Sequence, residues 1–339
     1  MACLAFMDSD NVPKSLLKLL SGFAFTDIER TFKEHIPEDG AYPEGTMYWY
    51  YYALYLTKTI STLDNCLGTN YGLTEQKGFD ISPYFVFNMS GVMPFNFSDS
   101  GVRYGMHQHI LWYVNYFKDK RLFKLYQELN EYMLPKRMLQ KLLYYRPMDT
   151  ENCDFDFQLD TYYPSIETAV MRNCFTDIKN LTFVGLHAGD NKATHSHLDC
   201  GSFVLDMLGE RFALDLGPDD YNVPGEFFRY RYSAEGHNTY VINRTDVYTQ
   251  NEKAATEIIK FETGEDGAFA IADITSAYDM YLKKLHRGIK LFDNRTRVLI
   301  QDELEADKEF DAWWQMHTEA DIEISEDKKS AVLTVNGKV

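Results

Sequence analysis

The chain has 339 residues, 45% of them hydrophobic and 15% aromatic, which is enough to fill sizeable cores and excludes a disordered protein. Thirty-four Lys and Arg against fifty-one Asp and Glu give a net charge of -17, which argues against a nucleic-acid partner because neutralising a phosphate backbone needs a basic surface. Apolar runs such as "LLKLLSGFAF" fall short of the roughly 20 residues that span a bilayer, so no membrane insertion is expected.

The first 145 residues or so read as helices joined by polar turns. "NVPKSLLKLLSGF" and "TDIERTFKEHI" carry apolar residues at helical spacing and predict two helices. In "EGTMYWYYYALYLTKTISTL" Tyr48, Tyr52 and Tyr55 fall on one face with Tyr51 nearby, and "DKRLFKLYQELNEYML" repeats Leu122, Leu125 and Leu129 at three and four. With 24 Tyr and 23 Phe in the chain, such clusters point to a dense aromatic core or to an aromatic-lined cleft of the kind in which sugars stack.

The segment "PMDTENCDFDFQLDTYYP" is polar and irregular, and a domain boundary is placed there, dividing the chain into 1–158 and 159–339. Beyond it come short β-type runs: "TAVMRNCF", "LTFVGLHA", "SFVLDMLGERFALDLG", "NTYVIN", "ATEIIKFE", "AFAIADI", "IKLFD", "TRVLIQDE" and "KSAVLTVNG". Gly, Asn and Asp turns separate them at the spacing of an antiparallel sandwich, and "MLGERFAL" reads as a tight hairpin at Gly209 and Glu210. The last strand has no evident partner, so the sandwich is expected to be incomplete. The fold class is α+β multidomain, with helix hairpins first and an antiparallel β-sandwich second.

Five cysteines, at positions 3, 66, 153, 174 and 200, lack paired spacing, so free thiols are expected. The N-terminus has an apolar start but no basic region before it, and no export signal is read. The densest group of chemical side chains is His195, His197, Asp199, Asp215 and His237. Zinc takes His nitrogen and carboxylate oxygen ligands, yet the residues alone leave metal binding, proton transfer and a polar turn all open. Residues two apart on a strand share a face, so His195 and His197 are expected to look into one cleft. A hairpin loop at Gly209 and Glu210 sets Val204 opposite Asp215 and turns His197 away, so a bend over 198–201 is required before His197 and Asp215 can meet. His107 and His109 form a second H-x-H, read as structural or cleft-lining because residues two apart on a helix do not share a face.

The run "HSHLDCGSFVLDMLGERFALDLG", with "YRYSAEGHNTYVIN" and "WWQMHT" after it, resembles the heparinase II/III-like family, and "DGAYPEGTMYWYYYALY" is similar to that family's DG-x-x-x-E segment followed by a Tyr. The resemblance implies a partial (α/α) toroid joined to the sandwich, and a polysaccharide lyase cleaving a uronic-acid-containing glycan by β-elimination. It implies His195 and Tyr48 as catalytic residues, and His197, Asp215 and His237 as ligands of Zn2+ or another divalent metal, held structurally. Glu44, Arg229, Arg231 and Asn238 are the expected contacts to an acidic polysaccharide. Family lyases also carry an Asn or His about fifty residues before the catalytic Tyr, and Tyr48 lies too near Met1 for it, so the chain is expected to begin inside the toroid. The resemblance implies a periplasmic or secreted location, while the residues alone leave a cytoplasmic one open. Two other readings stand beside the lyase: a non-catalytic glycan-binding relative, and a cupin-type metalloenzyme, which the helical half disfavours.

Overall fold

The computed structural model describes residues 13–102, 109–129, 142–153, 156–219, 230–244 and 249–339. The helical part comprises α1 (Lys14–His35), α2 (Gly45–Leu67), α3 (Ser82–Asn88), α4 (Ile110–Phe117) and α5 (Lys120–Leu129). The two helices expected over 11–23 and 26–36 are one continuous α1. Gly22, inside this helix, costs only about 1 kcal/mol there, which is too little to interrupt it. Helix α2 ends where its periodicity ends, at Gly68, whose left-handed backbone lets its N–H cap Asp64 O at 3.0 Å.

A five-stranded sheet follows in the order β1 (Thr161–Tyr163), β2 (Thr168–Arg172), β3 (Thr182–His187), β4 (Ser202–Met207) and β5 (Glu210–Ala213). A second sheet has the order β10-β9-β8-β7, built from β7 (Glu257–Gly264), β8 (Gly267–Asp273), β9 (Lys284–Phe292) and β10 (Arg297–Glu305). The strand β6 (Tyr240–Ile242) pairs with β11 (Ala312–Trp314), and β12 (Asp321–Ile324) pairs with β13 (Ala331–Thr334), which supplies the partner that the last strand lacked in sequence. All of these pairings are antiparallel.

Alternation along the first sheet explains the layering, because successive side chains point to opposite faces. Val170, Phe183 and Val204 join the core of the helical part, where Trp49, Phe85, Phe95 and Tyr113 are buried. Their neighbours Ala169, Val184 and Phe203 face the other way and pack with Ala270, Leu285 and Ile289 of the second sheet. The molecule is therefore three layers, helices, sheet and sheet, with the first sheet in the middle.

The β4–β5 turn sits at Leu208 and Gly209, one residue earlier than expected. The register then shifts between Leu205 and Asp206, so that Leu205 pairs with Ala213. A bulge accounts for the difference, inserting one residue where the sequence suggested a regular ladder.

Candidate functional site

The site gathers at the seam between helices and first sheet. His195 and His197 are not on a strand, as expected, but in an irregular loop between β3 and β4. Here His195 takes a left-handed backbone, φ 58°, uncommon for a residue with a side chain. The loop is held by main-chain bonds: Leu198 N donates to Tyr232 O at 2.8 Å and Gly201 N to His187 O at 2.8 Å. Gly201, at φ +84°, makes the required bend, and a Cβ there would meet Ile274 Cδ1 at 2.6 Å.

Tyr48 stands in the first turns of α2, and its ring centroid is 4.9 Å from that of His195. Between them lies Asp99, a residue the sequence reading missed, from the loop that follows α3. Its Oδ2 is 2.9 Å from Tyr48 Oη and 2.9 Å from His195 Nδ1, and its Oδ1 is 3.7 Å from His197 Nε2. The Asp99 side chain is 4% exposed and that of His195 39%. Burial alone would raise Asp99, but hydrogen bonds from His197, Tyr48 and His195 outweigh it and hold the carboxyl below its usual range. Burial first, then the bond to Asp99, pushes the Tyr48 phenol well above its ordinary value. Glu44, buried just before α2, is raised by burial despite the nearby His195 and His35.

His197 and His237 approach with ring centroids 5.3 Å apart. Asp215 joins them as the partner of His237, with Oδ2 2.6 Å from Nδ1 of the ring and both side chains fully buried. Burial would lower His237, yet the charge of Asp215 and its hydrogen bond raise it. Among the described residues, His197 Nδ1 and His237 Nε2 are buried without a hydrogen-bond partner. Among the described residues no three His, Cys, Asp or Glu side chains converge as a ready metal cage, because Asp215 meets His237 at the nitrogen opposite its unpartnered one. The donor chemistry still fits a metal: two orphaned imidazole nitrogens, one of them on a ring oriented by a carboxylate at its other nitrogen, the usual arrangement behind a ligating histidine.

The other expected contacts take the following places. Asn238 is fully buried and ties strands together: its amide donates to Phe203 O at 2.7 Å and Leu214 O at 3.0 Å, while its oxygen accepts His317 N at 2.6 Å. That use of both amide ends leaves it facing the core and not a substrate. Arg231 is turned to the loop after Asp215, donating to Leu216 O and, at 3.3 Å, to Pro218 O, with the Asp219 carboxylate 3.9 Å away. Arg229 and His107 lie outside the described residues. His109 is buried against Trp49 and Tyr50, each ring centroid 5.0 Å away.

Two hollows flank the cluster. A cavity of about 760 Å3 is lined by Pro43, Ser98 and Ala193, next to the catalytic candidates in sequence, and by the carboxylates of Glu167, Asp190, Glu257, Asp273 and Asp279. A groove of about 420 Å3 between α1 and α2 is walled by Tyr42, Tyr48, Tyr51, Tyr52 and Tyr55. No helix among the described residues is long and apolar enough to cross a membrane.

These features define the class: an α+β protein whose helices pack on an antiparallel sandwich, with a His–Asp–Tyr cluster at the seam. The family model described as heparinase II/III-like, C-terminal, matches residues 161–338, more than half of the chain, and the chain belongs to that family. Among solved structures it is similar to heparan sulfate lyase HepC from Pedobacter heparinus, as a mutant, with 13% identity, TM-score 0.71 and coverage of 99% of this chain and 49% of that one. Heparinase III, the BT4657 gene product, gives 15% identity, TM-score 0.65 and coverage of 96% and 47%. The chain thus spans about half the length of the structures it matches. No curated protein matches it by sequence. The expected family and the α+β, helix-then-sandwich fold are both borne out.

Proposed function

We propose that the protein is a polysaccharide lyase acting on a uronic-acid-containing glycan by β-elimination. The observation that carries this reading is the meeting of Tyr48 and His195, from the helical and β halves, on one buried carboxylate. The tyrosine-walled groove beside Tyr48 supports it, since pyranose rings stack on such surfaces.

In the proposed reaction His195 Nε2 takes the proton from C5 of the uronic acid. The C5–H electron pair becomes the C4=C5 double bond, the C4–O bond breaks, and the departing oxygen takes the proton of Tyr48. A neutral imidazole, with a lone pair on Nε2, suits the first role. The raised Tyr48 pKa keeps the phenol protonated and suits the second.

The unpartnered nitrogens of His197 and His237 would hold Zn2+ or another divalent cation, with Asp215 fixing the His237 ring. Such a metal supplies cross-linking between the loop of His197 and the segment of His237. Its role here is structural, and a chelator is expected to lower the melting temperature. In His197→Ala and His237→Ala metal content, measured on the purified protein, is expected to fall.

The test is incubation with hyaluronan, chondroitin, heparan sulfate and alginate, with divalent metal present, followed by ultraviolet absorbance of the unsaturated product. Poorly sulfated glycans head the panel because five carboxylates line the adjoining cavity. Product formation lost in His195→Ala with metal content retained is the expected result. Absence of product from all four glycans would sink the reading in favour of a glycan-binding relative, which a binding assay on the same panel would reveal.

A further inference from the structure

Asp99 belongs to neither the Tyr48 helix nor the His195 loop, yet its position is fixed against both. Its N–H donates to His195 O at 3.0 Å, and Ser98 N donates to Asp199 Oδ2 at 2.6 Å. Met47 N, beside Tyr48, donates to Ser100 Oγ at 3.3 Å. Main-chain contacts on each side thus set the carboxylate where it stands.

The chemistry of that contact is restrictive. An ionised carboxylate only accepts hydrogen bonds, and a single oxygen, Oδ2, meets both Tyr48 Oη and His195 Nδ1 at 2.9 Å. Tyr48 must therefore present its hydroxyl hydrogen, and His195 must carry a hydrogen on Nδ1. A neutral imidazole with hydrogen on Nδ1 has its lone pair on Nε2. The opposite assignment, a phenolate at Tyr48 as base, would set two anionic oxygens 2.9 Å apart, and like charges at that range oppose each other.

We propose that Asp99 is the positioning residue that sorts the pair, holding His195 as the Nδ1–H tautomer, with its lone pair on Nε2, and Tyr48 as the proton donor. This assignment rests on the lyase reading for its catalytic meaning, but the tautomer itself exists without substrate. The orienting role is the one a buried aspartate plays for the histidine of a hydrolase triad, where removal of its charge alone costs about 10⁴-fold in kcat.

The test is Asp99→Asn, which keeps the shape but offers an amide hydrogen to Nδ1. Nitrogen-15 NMR of the histidine rings, with the His195 signals assigned by their loss in His195→Gln, is expected to report Nδ1–H in the natural protein and Nε2–H in Asp99→Asn. On whichever glycan is cleaved, kcat is expected to fall roughly 10³-fold or more with KM changed only a few-fold. A loosened fold would not by itself exchange one tautomer for the other. The natural protein showing Nε2–H, or Asp99→Asn keeping Nδ1–H or its full kcat, would overturn the proposal. If Asp99→Asn does not fold, the tautomer of the natural protein and of Tyr48→Phe decides: both should be Nδ1–H. Failure of the glycan panel alone removes the lyase reading and leaves the tautomer result standing.

Discussion

The two sheets are built alike and used differently. Strands β2 and β3 of the first are buried at every position, whereas β9 and β10 of the second alternate between covered and open residues. A sheet with both faces packed needs apolar side chains throughout, while one with a wet face needs them at every second position. The site residues hang from the covered sheet, where the surrounding layers fix loop positions. The open sheet braces that layer from behind and presents a surface to water.

This contrast can be broken at matched positions. The largest effects are expected where the covered face is emptied: Phe183→Ala, with the ring fully buried on β3, should cost about 3–5 kcal/mol. Phe269→Ala, with its ring half-buried on the outer face of the second sheet, should cost about 1 kcal/mol or less. Urea titration of both variants measures the difference, and equal losses would erase the distinction between the sheets.

Arg287 is where the second sheet reaches inward. Its guanidinium, fully buried on β9, pairs with Asp302 through two bonds of 2.8 and 3.0 Å and donates to Gly201 O at 2.6 Å and Asn238 O at 2.8 Å. Those carbonyls follow the histidine loop and His237. Arg287→Met strands the Asp302 carboxylate and is expected to cost about 3–5 kcal/mol in thermal or urea unfolding. A near-neutral result would mean that the Arg287 bonds add nothing to the packing between the two sheets.

The smallest and sharpest comparison uses glycines. A Cβ at Gly185, on β3 under the helices, would lie 2.4 Å from Phe95 Cδ1, whereas one at Gly288 on β9 meets nothing nearer than Gln301 O at 3.7 Å. Gly185→Ala should lose about 1–3 kcal/mol by overpacking. Gly288→Ala should shift stability by less than about 1 kcal/mol, in the stabilising direction, because alanine has less freedom to lose. Melting temperatures that move the same way for both would contradict the layering.

Local pattern carried most of the fold. The β-type runs between Thr168 and Glu305 each became a strand because alternation and turn residues are read from adjacent positions. The short strands β1, β11 and β12 escaped notice: three or four residues such as Ala312–Trp314 hold too little alternation to stand out. Within the site, the bend at Gly201 was foreseen from the need for His197 and Asp215 to meet. Asp99 was not, since "NFSDS" carries no spacing signal and its partners lie 51 and 96 residues away in sequence. Asn238 was misjudged for the converse reason: its neighbour His237 has a chemical role to offer, but its own amide is needed by three main-chain groups that only the folded chain assembles.

Because β1 to β4 contribute Tyr163, Val170, Phe183 and Val204 to the core beneath the helices, the stretch recognisable by sequence, 161–338, shares a core with the helices outside it. Excised at that boundary, it would carry an uncovered aromatic and aliphatic patch, the kind of surface through which chains associate. Recombining such modules between relatives would therefore demand that the helical partner travel with the sandwich. The histidine loop inherits the same dependence, since its Asp99 partner lies on the far side of the cut.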